Sequence, residues 1–291
     1  LMLATGDEPP PPAVVDESAV ETPSANSPPS SAMALSALLE VTEDRRPSSS
    51  TSTMAQMLEA TSSSLSASFA STGVAGRQPE QRRQLALARG GSIQSEEAVE
   101  RALDWLAAHQ LPSGGWSLVH DSGKCNGRCR NNGVKDRFEP AATGLSLLAF
   151  LGAGYTHQQG KHQQTVRKGI YFLLQILEET PQGGSFLYAC DRGMYNHGIA
   201  AFAICEAYQL SGDRDLKRPA QMAIDFIVSS QNYRGGWGYL PKQPGDLTLS
   251  GWQIMALKSG VAAGLEVPPA TILRIDPFLD SQQSESGVFY G

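Results

Sequence analysis

The chain has 291 residues, a formal net charge of −6 and 41% hydrophobic residues. This mild acidity disfavours a nucleic-acid-binding protein, which needs a basic surface, and no run of 18 apolar residues is present to form a transmembrane helix. Four cysteines are too few for a disulfide-dense scaffold.

Residues 1–95 differ in composition from the rest of the chain. They contain 9 of the 18 prolines, 18 serines and one aromatic residue, Phe69. Such a segment buries too little apolar surface to offset the entropy lost on ordering. We therefore expect a disordered tail over 1–95, either a linker or a docking segment for a protein partner, and a folded domain over 96–291.

A short phrase of glycine followed by an aromatic residue recurs in the folded part. Successive aromatic positions are 70, 51 and 52 residues apart. The first gap is longer by 19, and a Cys-, Gly- and Asn-rich insertion at 120–138 accounts for the difference. The spacing therefore predicts a repeat of about 51 residues. The aromatic positions are Trp116, Phe186, Trp237 and Phe289.

Two kinds of helix are predicted in each repeat. A segment with one apolar stripe at helical spacing precedes each phrase, as in Val99, Ala102, Leu103 and Leu106. A segment that is apolar nearly all round follows it, at 141–152, 197–210 and 250–263. Because one-stripe helices cover a core while all-round helices are buried within it, the sequence predicts an all-α, two-layer α/α toroid. The alternative is an irregular helical bundle.

The repeated phrases resemble those of the terpenoid cyclase and protein prenyltransferase superfamily. The residues that carry the resemblance are Gln110 with 114–116, Gln231 with 235–237, Gln283 with 287–289, and the stretch 245–253. With Gly127-Arg128-Cys129 in the insertion, the chain is similar to bacterial squalene-cyclase-like proteins with prenyltransferase/squalene oxidase repeats. The resemblance implies a toroid of about six hairpins around a cavity for an isoprenoid ligand. About three and a half hairpins are visible, so we expect the sequence to be a fragment.

The resemblance also implies where chemistry would occur. Squalene–hopene-type cyclases protonate an alkene with an aspartate of a DxDD motif, and protein prenyltransferases hold zinc with Asp, Cys and His. Only Asp246 matches either motif, because Thr248 stands where the proton donor or the Cys ligand would be. A hydroxyl is too weak an acid to protonate an alkene. Asp246 is therefore a candidate catalytic residue or a helix N-cap.

Polar residues gather where the all-apolar helices begin. Alignment on Gly144, Gly198 and Gly251 places Thr143, His197 and Ser250 at matching positions, and helix N-termini attract anions such as diphosphate. Structural hydrogen bonding of His197 and core packing of the aromatic residues are the alternatives. The candidate catalytic residues are Asp246, His197 and Asp191, and the candidate substrate-binding residues are Tyr195, Phe202, Trp252, Thr143 and Ser250.

The insertion offers a candidate metal site. Cys125 and Cys129 are spaced Cys-x3-Cys, with His120 upstream, and thiolate and imidazole are zinc ligands. A short-loop disulfide or two free thiols are equally compatible with this spacing. Two functions remain: an enzyme acting on an isoprenoid, with zinc as its one candidate cofactor, or a non-catalytic module that binds a lipid or a protein. The compartment is not predicted.

Overall fold

The protein is built almost entirely from helices in the part that a computed structural model describes, residues 79–120, 125, 127–129, 133 and 137–283. The predicted tail up to residue 78, most of the insertion and the fourth phrase at 287–289 lie outside this part. The all-α prediction is confirmed. The helices are α1 (Pro79–Ala88), α2 (Ile93–Ala108), α3 (Glu139–Gly152), α4 (Gln163–Ile176), α5 (Gly193–Ser211), α6 (Lys217–Ser230), α7 (Leu247–Ala262), α8 (Pro269–Leu273) and α9 (Ile275–Ser281).

A small β-hairpin is a departure from the sequence prediction, which contained no strands. Strand β1 (Glu178–Thr180) pairs antiparallel with β2 (Gly183–Ser185), with Glu179 opposite Gly184. Gly183 adopts a φ of 120°, which only glycine reaches without strain. The hairpin lets Gly183 lie directly against the backbone of α6. The hairpin is therefore the local structure of the glycine phrase at 183–186 and not part of a larger sheet.

Helix α1 and the first residues of α2 lie within 1–95, the range that the sequence analysis assigned to the tail. Arg82 of α1 forms an ion pair with Glu96 of α2 at 2.6 Å. Ser92 and Ser95 exchange side-chain-to-backbone hydrogen bonds in a capping box that starts α2. Composition averaged over 95 residues conceals one short polar helix, α1, and the first residues of α2 at the end of a Pro- and Ser-rich stretch.

The helices alternate between an inner and an outer position. The all-apolar helices α3, α5 and α7 pack side by side in chain order, and the one-stripe helices α4 and α6 pack against them. Ala200, Ala203 and Ala207 of α5 are fully buried, so α3 and α7 can approach closely on its two sides. Closure of this arrangement into a toroid by further hairpins remains a prediction.

Two glutamines, Gln110 and Gln231, each join a glycine phrase to the outer helix that follows it. The Gln110 amide donates to the Gly114 carbonyl at 2.7 Å and to the Thr165 carbonyl of α4 at 2.8 Å. Gln231 repeats this pattern with Gly235 at 2.9 Å and Thr271 of α8 at 3.0 Å. The same two bonds therefore recur at Gln110 and Gln231, at positions that the predicted repeat makes equivalent.

The glycines of the inner helices provide a matched test of this packing. A Cβ at Gly144 would lie 2.9 Å from the Ile199 carbonyl oxygen of α5, whereas a Cβ at Gly251 would meet no atom within 4 Å. We expect Gly144→Ala to lower the free energy of unfolding by about 1–3 kcal/mol. Gly251→Ala should leave it unchanged or raise it by up to about 1 kcal/mol, because alanine favours helix. Urea unfolding measures both, and equal effects would contradict the packing.

Candidate functional site

Three predicted site residues hold the phrases to the inner helices. The backbone N–H of Trp116 donates to the Thr143 hydroxyl at 2.9 Å, and that of Trp237 donates to the Ser250 hydroxyl at 2.9 Å. The equivalent N–H, on Phe186, donates to Nδ1 of His197 at 3.2 Å. Thr143, His197 and Ser250 are all 0% exposed. These bonds give all three residues a structural role, whereas the sequence analysis named Thr143 and Ser250 as candidates for substrate binding and His197 as a candidate for catalysis.

His197 is held in one neutral tautomer. Its Nδ1 accepts from Phe186, so Nε2 carries the proton and donates to the Ala223 carbonyl of α6 at 3.1 Å. Burial lowers the pKa of His197 to about 4, and its bond to Ala223 opposes this shift in part. With both ring nitrogens engaged inside the core, His197 is unavailable as a catalytic acid or base.

Asp246 is the N-cap of α7, as the structural alternative predicted. Its Oδ1 accepts from the backbone N–H of Leu249 at 2.7 Å. The Tyr195 ring lies near the same helix end, 6.1 Å from the Tyr239 ring. Burial chiefly, and then the Asp246 charge, raise the pKa of the Tyr195 phenol. Asp246, Tyr195 and Tyr239 thus form a polar rim at the start of α5 and α7.

Asp191 and Cys190 precede this rim without joining His197. The Cys190 thiol lies 3.9 Å from the Asp191 carboxylate, and Asp191 is exposed while His197 is fully buried. Within the described part of the chain, these three residues do not form a group of ligand atoms close enough for a metal. Cys, Asp and His are all zinc-compatible ligand types, but these three side chains do not assemble into a metal site.

The inner helices share a stripe of partly exposed apolar side chains. Leu148, Phe202 and Met255 lie four residues after the aligned glycines of α3, α5 and α7, and each is accessible to solvent, Met255 to 44%. Leu145, at 43%, and the half-buried Trp252 extend this surface. We call these five residues the inner apolar stripe. It contains Phe202 and Trp252, two of the predicted substrate-binding residues.

The predicted metal ligands Cys125 and Cys129 lie beside a different histidine from the one the sequence indicated. One ligand atom each from His109, Cys125 and Cys129 lies within 4.8 Å of the other two. His120, predicted from its position upstream of the cysteines, is not in this group, although its ring centroid is 6.2 Å from that of His109. Sequence spacing favoured His120 because it is closer along the chain. The chain that follows α2 folds back, so that Cys125 and Cys129 lie beside His109 at the end of that helix.

Hydrogen bonds orient each member of this cluster. Nδ1 of His109 lies 2.7 Å from the Trp105 carbonyl, and its Nε2 lies 3.5 Å from the Cys129 sulfur. The Trp105 indole N–H donates to the same sulfur at 3.3 Å. Hydrogen bonds with the Cys129 backbone and then with the His109 side chain lower the pKa of Cys125 to about 6. This environment therefore favours the thiolate form of Cys125.

Comparison with known proteins gives one distant similarity. The chain is 25% identical over 213 residues to a squalene–hopene cyclase of Bradyrhizobium diazoefficiens, and the match covers 67% of this chain. It spans 30% of that protein's length. No protein-family profile matches the chain. Together with the helical structure, this similarity supports a relationship to cyclase-like proteins.

Among the described helices, none is long and apolar enough to cross a membrane.

Ser250 tests the structural role of the buried acceptors. Ser250→Ala leaves the Trp237 N–H buried without its acceptor, and we expect a loss of about 1–3 kcal/mol in the free energy of unfolding. Ser250→Thr keeps the hydroxyl, and Thr143 already occupies the equivalent position, so it serves as the matched control. Urea denaturation at neutral pH measures both. An alanine variant as stable as the threonine variant would contradict the assigned role.

Buried His197 predicts a dependence of stability on pH. Its pKa is about 4 in the folded protein, below the ordinary value of 6.5, so the unfolded chain binds more protons between these two values. The free energy of unfolding should be highest above pH 6.5 and fall towards pH 4, by about 3 kcal/mol in total from this group.

Unfolding curves across this pH range, compared with those of His197→Gln, isolate the effect. Glutamine retains a donor and an acceptor but does not titrate. We expect a shallower pH dependence in the variant. Identical slopes for the two proteins would show that His197 is not a buried neutral group.

Proposed function

We propose that the chain belongs to a squalene-cyclase-like α/α toroid that binds an isoprenoid hydrocarbon along the inner apolar stripe without cyclising it. The observation that carries the proposal is the recurrence of exposed apolar side chains at equivalent positions of three neighbouring helices. Exposed apolar surface that is continuous from one element to the next is typical of ligand-binding or partner-binding sites.

The class of ligand follows from the distant relative. The name of that protein gives squalene as the compound on which it acts, and squalene has no polar group. A surface made of Leu148, Phe202, Trp252 and Met255 offers burial of hydrocarbon and aromatic contact. None of these four side chains carries a positive charge that could hold a diphosphate.

The proposal that this chain does not cyclise its ligand rests on the strong acid that such chemistry needs. No DxDD motif occurs in the 291 residues. Asp246 accepts a backbone hydrogen bond as a helix cap, and Thr248 has no acidic proton. Protonation of an alkene requires a strong, positioned acid. These residues support binding of an isoprenoid more than its conversion.

A charge placed on the stripe tests the proposal. Met255→Glu puts a carboxylate at a position that is 44% exposed, and Leu273→Glu puts one on α8, away from the stripe, at a position that is 60% exposed. Transfer of a Met side chain from water is worth about 1.5–3 kcal/mol, so we expect Met255→Glu to bind squalene at least about ten-fold more weakly. The α8 variant should bind as the wild type does.

Binding is measured with isotope-labelled squalene delivered in detergent micelles, followed by extraction and mass spectrometry of the lipid. Recovery of unchanged squalene from the wild type and from Leu273→Glu, with loss in Met255→Glu, is the expected result. Absence of binding to the wild type, or equal binding to both variants, contradicts the binding site. Recovery of a cyclised product contradicts the non-catalytic assignment.

A further inference from the structure

The insertion and the end of α2 meet in a cluster that the proposed isoprenoid-binding function does not use. His109, the C-cap of α2, is 7% exposed, and the insertion supplies Cys125 and Cys129. Both cysteines are free thiols. This cluster is the one group among the described residues whose His, Cys, Asp and Glu ligand atoms converge as a metal site requires.

The distances match tetrahedral zinc coordination. With a Zn–S bond of about 2.3 Å and a Zn–N bond of about 2.0–2.1 Å, two tetrahedral ligands lie about 3.6 Å apart. The Cys129 sulfur and Nε2 of His109 are 3.5 Å apart. All three ligand atoms fall within 4.8 Å. The side chains therefore need little movement to take up the ion.

The surrounding bonds are those that orient metal ligands. A ligating histidine usually donates its other ring N–H to a carbonyl or carboxylate, and Nδ1 of His109 lies 2.7 Å from the Trp105 carbonyl. This bond leaves the Nε2 lone pair directed at the cluster. The indole of Trp105 stacks on the imidazole at a centroid distance of 4.0 Å and donates its N–H to the Cys129 sulfur. Trp105 thus fixes two of the three ligands.

The repeat shows that His109 accompanies the insertion. His109 precedes Gln110, and the residue that precedes the equivalent Gln231 is Ser230. Ser230 belongs to a hairpin whose phrase is followed by no such insertion. The histidine and the two cysteines therefore occur in the same hairpin. In the hairpin without an insertion, a serine, Ser230, occupies the position equivalent to His109.

We propose that His109, Cys125 and Cys129 bind one zinc ion that fastens the insertion to the end of α2. Two thiolates and an imidazole favour zinc over magnesium or calcium, which prefer oxygen ligands. The described residues supply three ligands, which leaves a fourth position for water.

Metal content of the purified full chain tests the site. We expect about one zinc per chain by elemental mass spectrometry after expression in zinc-supplemented medium, and a sulfur-to-metal charge-transfer band after replacement by Co²⁺. Cys125→Ser and His109→Ala should each weaken zinc retention against a chelator by roughly ten-fold or more. Cys190→Ser, a cysteine outside the cluster, and His120→Ala should retain the metal.

Circular dichroism of every variant separates loss of the ligand from loss of the fold. Because Cys125 lies in the insertion and not in a helix, Cys125→Ser keeps the test valid if His109→Ala fails to fold. A wild-type chain without zinc and without the cobalt band overturns the proposal. So does a Cys125–Cys129 disulfide in peptide mass spectra. Loss of zinc in His120→Ala, with retention in a folded His109→Ala, overturns the assignment of the histidine.

Discussion

The hydrogen bond from the backbone of each phrase to the next inner helix is the contact on which the arrangement depends. Each glycine turn brings the N–H of an aromatic residue into the core, where an unpaired donor would cost about 1–3 kcal/mol. Thr143, His197 and Ser250 each supply the acceptor from the first turns of an inner helix. The loop and the inner helix are thereby fixed relative to one another at each of the three phrases that the structure describes.

This use of polar side chains shapes what the protein can do. Residues at the starts of inner helices would be well placed for acid–base chemistry or for binding an anion. Here, however, Thr143, His197 and Ser250 are buried in structural hydrogen bonds. What remains accessible on the inner helices is mainly apolar, with Asp246 and Tyr195 at one rim. A surface of this kind stabilises a ligand by removing hydrocarbon from water, and it lacks the strong acid that cyclisation needs.

The cysteine insertion cannot be held in place by apolar packing in the way that the helices are. It interrupts the first repeat, is rich in glycine, asparagine and basic residues, and has few apolar side chains with which to pack. A segment of this composition gains order most readily from a cross-link, and a metal ion provides one where a hydrophobic core cannot. The nearby indole and imidazole of Trp105 and His109 then supply both packing and hydrogen bonds.

The sequence by itself determined the all-α class and the two kinds of helix, because the periodicity of apolar residues is a local signal. It also placed Thr143, His197 and Ser250 at matching positions, although it assigned Thr143 and Ser250 to substrate binding and His197 to catalysis. Only the tertiary structure decided that these acceptors face buried N–H groups, since their partners lie 11–27 residues away. It also replaced His120 with His109, because a turn, and not distance along the chain, determines which imidazole reaches the cysteines.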